Sequence, residues 1–379
     1  MRIADFALER YFATWEFAVQ HVLCASDVEG WSMAELLALA DDETAAMWAD
    51  LRLGYTESTG HPLLRREIAA LYENVDADDV LVFAGAEEAV FCLMTTSLDP
   101  GDHVVVTWPG YQSLYEVARA AGAKVGLHLL REEDGWSLAV DRLVRSFRPE
   151  TRMVVVNAPH NPTGMLPSEG EWRRLASECT AAGIRLVSDE VYRFLEHDGA
   201  ATLPAGADLD ERAVSIGVMS KSFAMAGLRI GWLATRDRAV LERCARMKDY
   251  TTICSSAPSE LLALIALRAR DRVLERSRSI VGANLAILDE FFARRSDAFS
   301  WVRPSGGSTA FPRLVPNGPA GPSAEAFAAR LVEATGVLLI PSSIFGIGDS
   351  HFRIGLGRTD LPEAITALDA FVPAHVSSR

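Results

Sequence analysis

The chain has 379 residues, of which 49% are hydrophobic and 23% charged, and it carries a formal net charge of −14. The length predicts two domains, the composition excludes a disordered chain, and the acidic balance argues against nucleic acid or an anionic membrane surface as the main partner. Five cysteines without a CxxC pair, and an N-terminus without an apolar signal core, predict a metal-free protein of the reducing cytoplasm.

Helices and strands alternate along most of the chain. Residues 4–20 place apolar groups at helical spacing, which predicts an amphipathic helix. From residue 79 onwards short β-branched runs predict an α/β fold with a mostly parallel, helix-flanked sheet. The predicted strands are 79–83, 103–108, 124–130, 152–158, 184–190, 213–217 and 229–234, and the helices between them include 87–97 and 169–182.

A different pattern follows the last of these strands. Residues 259–295 predict one long helix or two joined ones, and the remainder predicts a smaller α+β domain of short strands and helices. The chain is therefore expected to have three parts. These are an N-terminal helix and loop (1–45) that pack with the small domain, a large domain (46–275) and the small C-terminal domain (276–379).

Lysine is scarce, so the sequence offers few primary amines. Of 37 basic residues only Lys124, Lys221 and Lys248 are lysines. Lys221 follows the strand 213–217, and Arg229 begins the next strand. An amine and a guanidinium held this close suit an aldehyde phosphate, because the amine forms an imine while the arginine grips the phosphate. Taken alone, Lys221 is better explained as a surface lysine.

Other polar groups follow neighbouring strands, where open α/β sheets collect their ligand groups. Asp189 in SDEVY is placed to pair with a protonated ring nitrogen, and Tyr192 and Asn161 (in HNPTG) to contact a phenolate oxygen. Gly85-Ala86 opens a helix whose backbone N–H groups suit a phosphate. A lysine imine with a carboxylate partner is typical of pyridoxal 5'-phosphate (PLP) sites. A dinucleotide site is disfavoured because GxGxxG is absent.

Seven motifs occur in a fixed order: YTESTGHPLLR, GAEEA, PGY, HNPTG, SDEVY, SK followed by GLRIGW, and FRIGLG. This series resembles the class I and II aminotransferases, which are PLP-dependent enzymes of fold type I, over about residues 50–360. The resemblance implies a large PLP-binding domain with a smaller α+β domain. It also implies a homodimer with shared active sites, and amino acids and 2-oxo acids as small-molecule substrates.

The resemblance implies a role for each matched residue. Lys221, Asp189 and Tyr192 are the implied catalytic groups, with Lys221 binding the cofactor and then carrying protons. The implied cofactor contacts also include Gly85, Ala86, Glu87, Tyr111, Asn161, Ser220, Arg229 and, from the partner subunit, Tyr55. Arg353 is implied to pair with the substrate α-carboxylate, beside Asn161. The alternative for Tyr55 is a core aromatic residue of its own subunit.

Two departures from the family pattern concern substrate and phosphate. Val218 replaces a usual Ser or Thr phosphate ligand, and the usual aliphatic–Gly-x-Pro loop is replaced by LCASDVEGWSM (23–33). The altered loop is similar to that of class-I-like cyclases and oxidases of arginine-type substrates, capreomycidine synthase among them. Glu9 and Glu16 on the preceding helix suit a cationic substrate, or simply form the solvated face of that helix.

Several functions stay open at this stage. The leading expectation is an aminotransferase that acts at the α-carbon of a free L-amino acid. The alternative within PLP chemistry is elimination from an arginine-type amino acid followed by ring closure. A non-catalytic binding protein is a third reading, and the presence of Lys221, Asp189 and Arg353 argues against it.

Overall fold

A seven-stranded sheet forms the centre of a computed structural model, which describes residues 2–372. The strands are β1 (Val80–Phe83), β2 (His103–Trp108), β3 (Lys124–Leu129), β4 (Thr151–Asn157), β5 (Arg185–Asp189), β6 (Val214–Val218) and β7 (Gly231–Ala234). Their order is β1-β7-β6-β5-β4-β2-β3, and only β7 runs antiparallel to its neighbours. The prediction of a mostly parallel α/β sheet is therefore confirmed.

Helices cover both faces of this sheet. In the described residues they are α1 (Ala7–Trp15), α2 (Met33–Leu37), α3 (Asp42–Ala49), α4 (Pro62–Ala69), α5 (Ala86–Ser97), α6 (Ser113–Ala120), α7 (Val140–Val144), α8 (Glu169–Ala181), α9 (Gly206–Leu209), α10 (Arg238–Lys248), α11 (Ala257–Arg268), α12 (Arg270–Arg294), α13 (Ala324–Thr335) and α14 (Leu361–Phe371). Within residues 2–372 none of them has the length and apolarity to cross a membrane.

The strands other than the edge strand β3 form where both of their faces are largely buried. Along β2, Val104 and Val106 pack with residues of α5 and α6, whereas Val105 points to the opposite face and packs with residues of α8. This alternation follows from the two-residue period of a strand. Continuous Val-rich runs are typical of parallel sheets that are covered on both sides, so the sequence signal for these strands is strong.

The C-terminal part contains shorter strands. They are β8 (Phe299–Ser300), β9 (Thr309–Ala310), β10 (Arg313–Leu314), β11 (Ile340–Pro341) and β12 (Phe352–Gly355). Two small antiparallel sheets result, β10-β8 and β11-β12-β9, and they pack with α12, α13 and α14. The predicted helical run 259–295 consists of the two joined helices α11 and α12. The proposed domain boundary at 275/276 falls inside α12.

The chain between α1 and α2, residues 16–32, is called here the N-terminal segment. Helix α1 is shorter than the predicted 4–20: it ends at Trp15, and the segment beyond it makes tertiary contacts instead. The Gly355 N–H donates to the Leu23 carbonyl at 2.6 Å, and a Cβ at Gly355 would overlap the Ala25 carbonyl. Gly355, the first glycine in FRIGLG, is thus required for this close approach of two backbones.

Replacing Gly355 with alanine should therefore loosen the N-terminal segment. The added Cβ cannot be accommodated without moving backbone, so Gly355→Ala should lower the melting temperature and speed amide hydrogen exchange in residues 16–32.

Gly282→Ala is the matched control, because Gly282 is exposed in α12 and its Cβ would meet nothing within 4 Å. That change should stabilise the protein by about 0.5–1 kcal/mol. Equal exchange rates in wild type and Gly355→Ala would contradict the predicted role of Gly355.

Candidate active site

A cavity of about 410 Å³ opens at the carboxyl ends of three parallel strands. Asn157 ends β4, Asp189 ends β5 and Val218 ends β6, and all three line the cavity. Ligand groups gather at this edge in open α/β sheets, because neighbouring parallel strands end there together. The sheet topology therefore brings together side chains that lie far apart in the sequence.

Lys221 and Asp189 lie on the same side of this cavity. The Lys221 amine donates to the Ser26 hydroxyl at 2.9 Å and lies 5.9 Å from the centre of the Tyr192 ring. Asp189 is buried, and its Oδ1 accepts from the Val191 N–H at 3.3 Å. Burial raises the pKa of Asp189 to about 7. A carboxyl group in this state gains from a cationic partner, such as a protonated ring nitrogen.

The part of the cavity next to the start of α5 can receive a phosphate. Gly85 precedes α5 with a φ of +90°, and a Cβ there would lie 2.7 Å from Nη2 of Arg229. The absence of a side chain thus leaves room for the guanidinium beside the first N–H groups of α5. Helix N-termini bind anions through such groups. Ala86 and Ser220 line the same cavity.

An aromatic side chain and a carboxyl group form a further part of the lining. Tyr111 lies in the cavity wall, with its ring centre 5.1 Å from that of Phe6. Burial raises the pKa of Glu87 and also that of Tyr111, so both groups favour their neutral forms.

Arg353 on β12 is fully buried and contacts Asn161, which lines the cavity. Its Nε donates to the Cys24 carbonyl at 3.0 Å and its Nη1 to Oδ1 of Asn161 at 3.2 Å. Its Nη2 has no hydrogen-bond partner among the described residues. A buried guanidinium with a free N–H edge suits a carboxylate. Asn161 keeps its amide nitrogen for a ligand.

Carboxylates line the side of the cavity formed by α1 and the N-terminal segment. They belong to Glu9, Glu16 and Asp27. Burial raises the pKa of Glu16, and the nearby Asp27 and Glu9 raise it further. Asp27 also pairs with Arg358 at 3.0 Å. The sequence analysis did not single out Ser26 or Asp27, although both lie in the stretch that departs from the family loop.

Tyr55 alone among the predicted site residues lies away from this cavity. Its side chain is 90% exposed, which rules out the core position in its own subunit. The adjacent Thr56 donates to the Ser255 carbonyl at 3.3 Å. The other predicted residues line the cavity, apart from Gly85 and Arg353, which border it as described.

The residues present fit PLP. They offer an amine, a buried carboxyl group for a ring nitrogen, a side-chain-free cradle at a helix N-terminus for a phosphate and a free guanidinium edge for a carboxylate. No cluster of His, Cys, Asp or Glu within residues 2–372 is arranged to hold a metal ion. Fold and site together define a fold-type-I PLP-dependent enzyme.

Comparison with known proteins gives the family. A sequence model described as Aminotransferase class I and II matches residues 28–368, and the chain belongs to this family. Arginine–pyruvate transaminase AruH of Pseudomonas aeruginosa is 34% identical, with 82% of this chain and 80% of the relative covered. Capreomycidine synthase of Streptomyces vinaceus is 30% identical, with 100% and 95% covered. The solved structure of a PLP-dependent cyclase, OrfR, matches with a TM-score of 0.88 and 31% identity, covering 98% of both chains.

The raised pKa of Asp189 predicts how the cofactor-free protein responds to pH. Between the usual value of 3.8 and about 7 the folded state binds the proton more tightly than the unfolded state, so stability falls as pH rises through this range. Asp189→Asn removes this loss. The variant should gain melting temperature over wild type, and the gain should be larger at pH 8 than at pH 5.

The control is Asp50→Asn at the exposed end of α3, for which no such pH-dependent gain is expected. A gain for Asp189→Asn that is the same at both pH values would contradict the raised pKa.

Proposed function

We propose that this protein is an aminotransferase that moves the amino group of a free L-amino acid with a cationic side chain to a 2-oxo acid. The observation that carries the proposal is the division of charge in the cavity. Arg353 offers a free edge on one side, and Glu9, Glu16 and Asp27 line another.

The basic residues of the site support this substrate class. Lys221 and Arg229 are the basic side chains in the described cavity lining, and Arg353 borders it. All three have roles in the proposal, with the cofactor aldehyde, the phosphate and the α-carboxylate. Among the described residues of one subunit no further basic side chain lines the cavity, which favours an amino acid without a second carboxylate over a dicarboxylic one. The 34% identical relative named arginine–pyruvate transaminase supports arginine as donor and pyruvate as acceptor.

The proposed chemistry assigns a task to each residue. Bound PLP supplies the electron sink that makes the α-proton of an amino acid removable. Arg353 holds the α-carboxylate, Lys221 takes the α-proton at its Nζ and returns it, and Asp189 keeps the ring nitrogen protonated. Asn161 and Tyr192 would hold the phenolate oxygen of the cofactor, and Tyr111 would contact its ring. Gly85, Ala86, Ser220 and Arg229 would hold the phosphate, with Glu87 beside them.

A second candidate function is elimination from a hydroxylated arginine followed by ring closure. It is favoured by the similarity to capreomycidine synthase, which spans the whole chain, whereas that to the transaminase spans 82%. Incubating the holoenzyme with arginine and with hydroxylated arginines separates the two. Transamination releases a 2-oxo acid and consumes pyruvate, whereas cyclisation proceeds without pyruvate and yields an amino acid lighter by one water.

A homodimer with shared active sites is part of the proposal. In this proposal Tyr55 would reach the phosphate in a partner subunit, and its exposure and that of Leu53 and Tyr250 support an interface. Large exposed aromatic groups are typical of protein interfaces. The cytoplasm is the proposed compartment, because all five cysteines are free thiols.

Loss of Lys221 should abolish turnover. Lys221→Ala removes the amine that binds the cofactor and carries the proton, so arginine-dependent 2-oxo acid formation should fall to background. Borohydride reduction of the wild-type holoenzyme should attach the cofactor to Lys221, as read by peptide mass spectrometry. Attachment to the buried Lys248 or to the exposed Lys124 would refute the assignment.

The Lys221→Ala subunit also tests the shared site when it is mixed with a Tyr55→Phe subunit. If Tyr55 acts across the interface, a hybrid dimer has one site with both groups intact, and activity should rise on mixing. No rise, or sedimentation as a monomer, would argue against the shared site.

Neutralising Glu16 should reduce activity on cationic substrates selectively. Glu16→Gln should lower kcat/KM for arginine roughly tenfold or more, because an ionic hydrogen bond contributes about 1.5–3 kcal/mol. Activity on alanine should change little. Asp5→Asn is the control. This replacement removes a negative charge near α1, and the exposed Asp5 does not line the cavity. Equal losses on arginine and alanine would count against the acidic wall as a specificity determinant.

A further inference from the structure

Ser26 of the N-terminal segment contacts the amine that the proposed chemistry depends on. The Lys221 Nζ donates to Ser26 Oγ at 2.9 Å, and this is the one hydrogen bond that the amine makes within residues 2–372. Ser26 also lines the cavity. The two residues are 195 positions apart in the chain, so tertiary packing alone creates the contact.

The backbone at Ser26 and at the two residues before it is held by tertiary contacts. The Ser26 carbonyl accepts from the Ser308 hydroxyl at 2.7 Å. The preceding Cys24 carbonyl accepts from Arg353, and Ala25 packs against the bare backbone of Gly355. Because this backbone is already ordered, the contact of the Ser26 hydroxyl with Lys221 costs little further conformational entropy.

A lysine that binds an aldehyde must also work as a free amine. In the proposed function Lys221 would hold the cofactor, and its Nζ would also have to move a proton at the substrate α-carbon, which requires the amine to be free. A lysine side chain has about 2 kcal/mol of rotamer entropy, so a free amine without a partner samples many positions. A hydroxyl accepts from an ammonium group and donates to a neutral amine, so it holds either form.

From these observations we propose that Ser26 is a positioning residue for Lys221. Its hydroxyl holds the released amine on the cavity side of the N-terminal segment, within reach of the substrate α-carbon. A carboxylate in this place would trap the ammonium form, whereas a neutral hydroxyl does not. The inference rests on the proposed catalytic role of Lys221, but the contact itself can be tested without turnover.

The scarcity of lysine makes a direct test possible. Protein labelled with carbon-13 at lysine Cε gives three signals, from Lys124, Lys221 and Lys248, and Lys221→Ala identifies the relevant one. In the cofactor-free protein Ser26→Ala should shift the Lys221 signal and leave the other two in place. Ser26→Thr keeps the hydroxyl and should leave the signal near its wild-type position. Ser343→Ala is the control for loss of a hydroxyl, because Ser343 is partly buried and does not line the cavity.

The holoenzyme gives the second measurement. Exchange of the arginine α-proton with solvent deuterium reports proton transfer by Lys221. Ser26→Ala should slow this exchange roughly tenfold, which corresponds to about 1.4 kcal/mol in the barrier. It should leave the arginine concentration at half-saturation nearly unchanged. Ser26→Thr should restore most of the rate, and Ser343→Ala should match wild type.

Three results would overturn the inference: a Lys221 signal that ignores Ser26→Ala, an unchanged exchange rate, or shifts spread over all three lysine signals. The last would indicate a general structural effect. These failures are distinct from failure of the proposed function, which would appear as cofactor attachment to another lysine.

Discussion

A fully buried arginine joins the three parts of this molecule. Arg353 projects from β12 in the C-terminal part, donates to the N-terminal segment at Cys24 and to the loop after β4 at Asn161. Removing a guanidinium from water costs several kcal/mol unless hydrogen bonds replace the lost hydration. Two of its nitrogens have such bonds, and Nη2 has none among the described residues. The fold thus keeps a buried guanidinium nitrogen without a protein partner next to the cavity-lining Asn161, where we propose that a substrate carboxylate binds.

Burial also disfavours the charged form of the carboxyl group at the end of β5. Asp189 and the adjacent Glu190 are both buried, and burial raises the pKa of each. Glu190 is stabilised by the Gly206 N–H and the Ser215 hydroxyl, whereas Asp189 faces the cavity with the Val191 N–H as its hydrogen-bond donor. Glu190 Oε1 therefore has partners within the protein, whereas Glu190 Oε2 has none among the described residues, and Asp189 lines the cavity.

The sequence was sufficient to predict the sheet but not the N-terminal segment. The strands other than β3 were predictable because doubly buried strands such as β2 consist of continuous apolar, mostly β-branched runs. The edge strand β3 is largely exposed. Helix α1 was predicted too long, since helical spacing continues past Trp15 while the chain there bridges to Val337 and pairs His21 with Asp360. Such contacts between residues more than 300 positions apart leave no periodic signal. Strand β11 is short partly because Pro341 lacks an N–H for the ladder.

The N-terminal segment contacts both the proposed carboxylate-binding arginine and the proposed catalytic amine. The Cys24 carbonyl accepts from Arg353, Ser26 contacts Lys221, and Asp27 lines the cavity, so three of four consecutive residues lie at the proposed site. A segment that changed to accept another side chain would also change the surroundings of the lysine. The scaffold of sheet and cofactor groups can remain the same while this segment differs, which is consistent with transaminases and cyclases sharing one fold. Reaction outcome and substrate side chain are then expected to vary together, because the same backbone sets both.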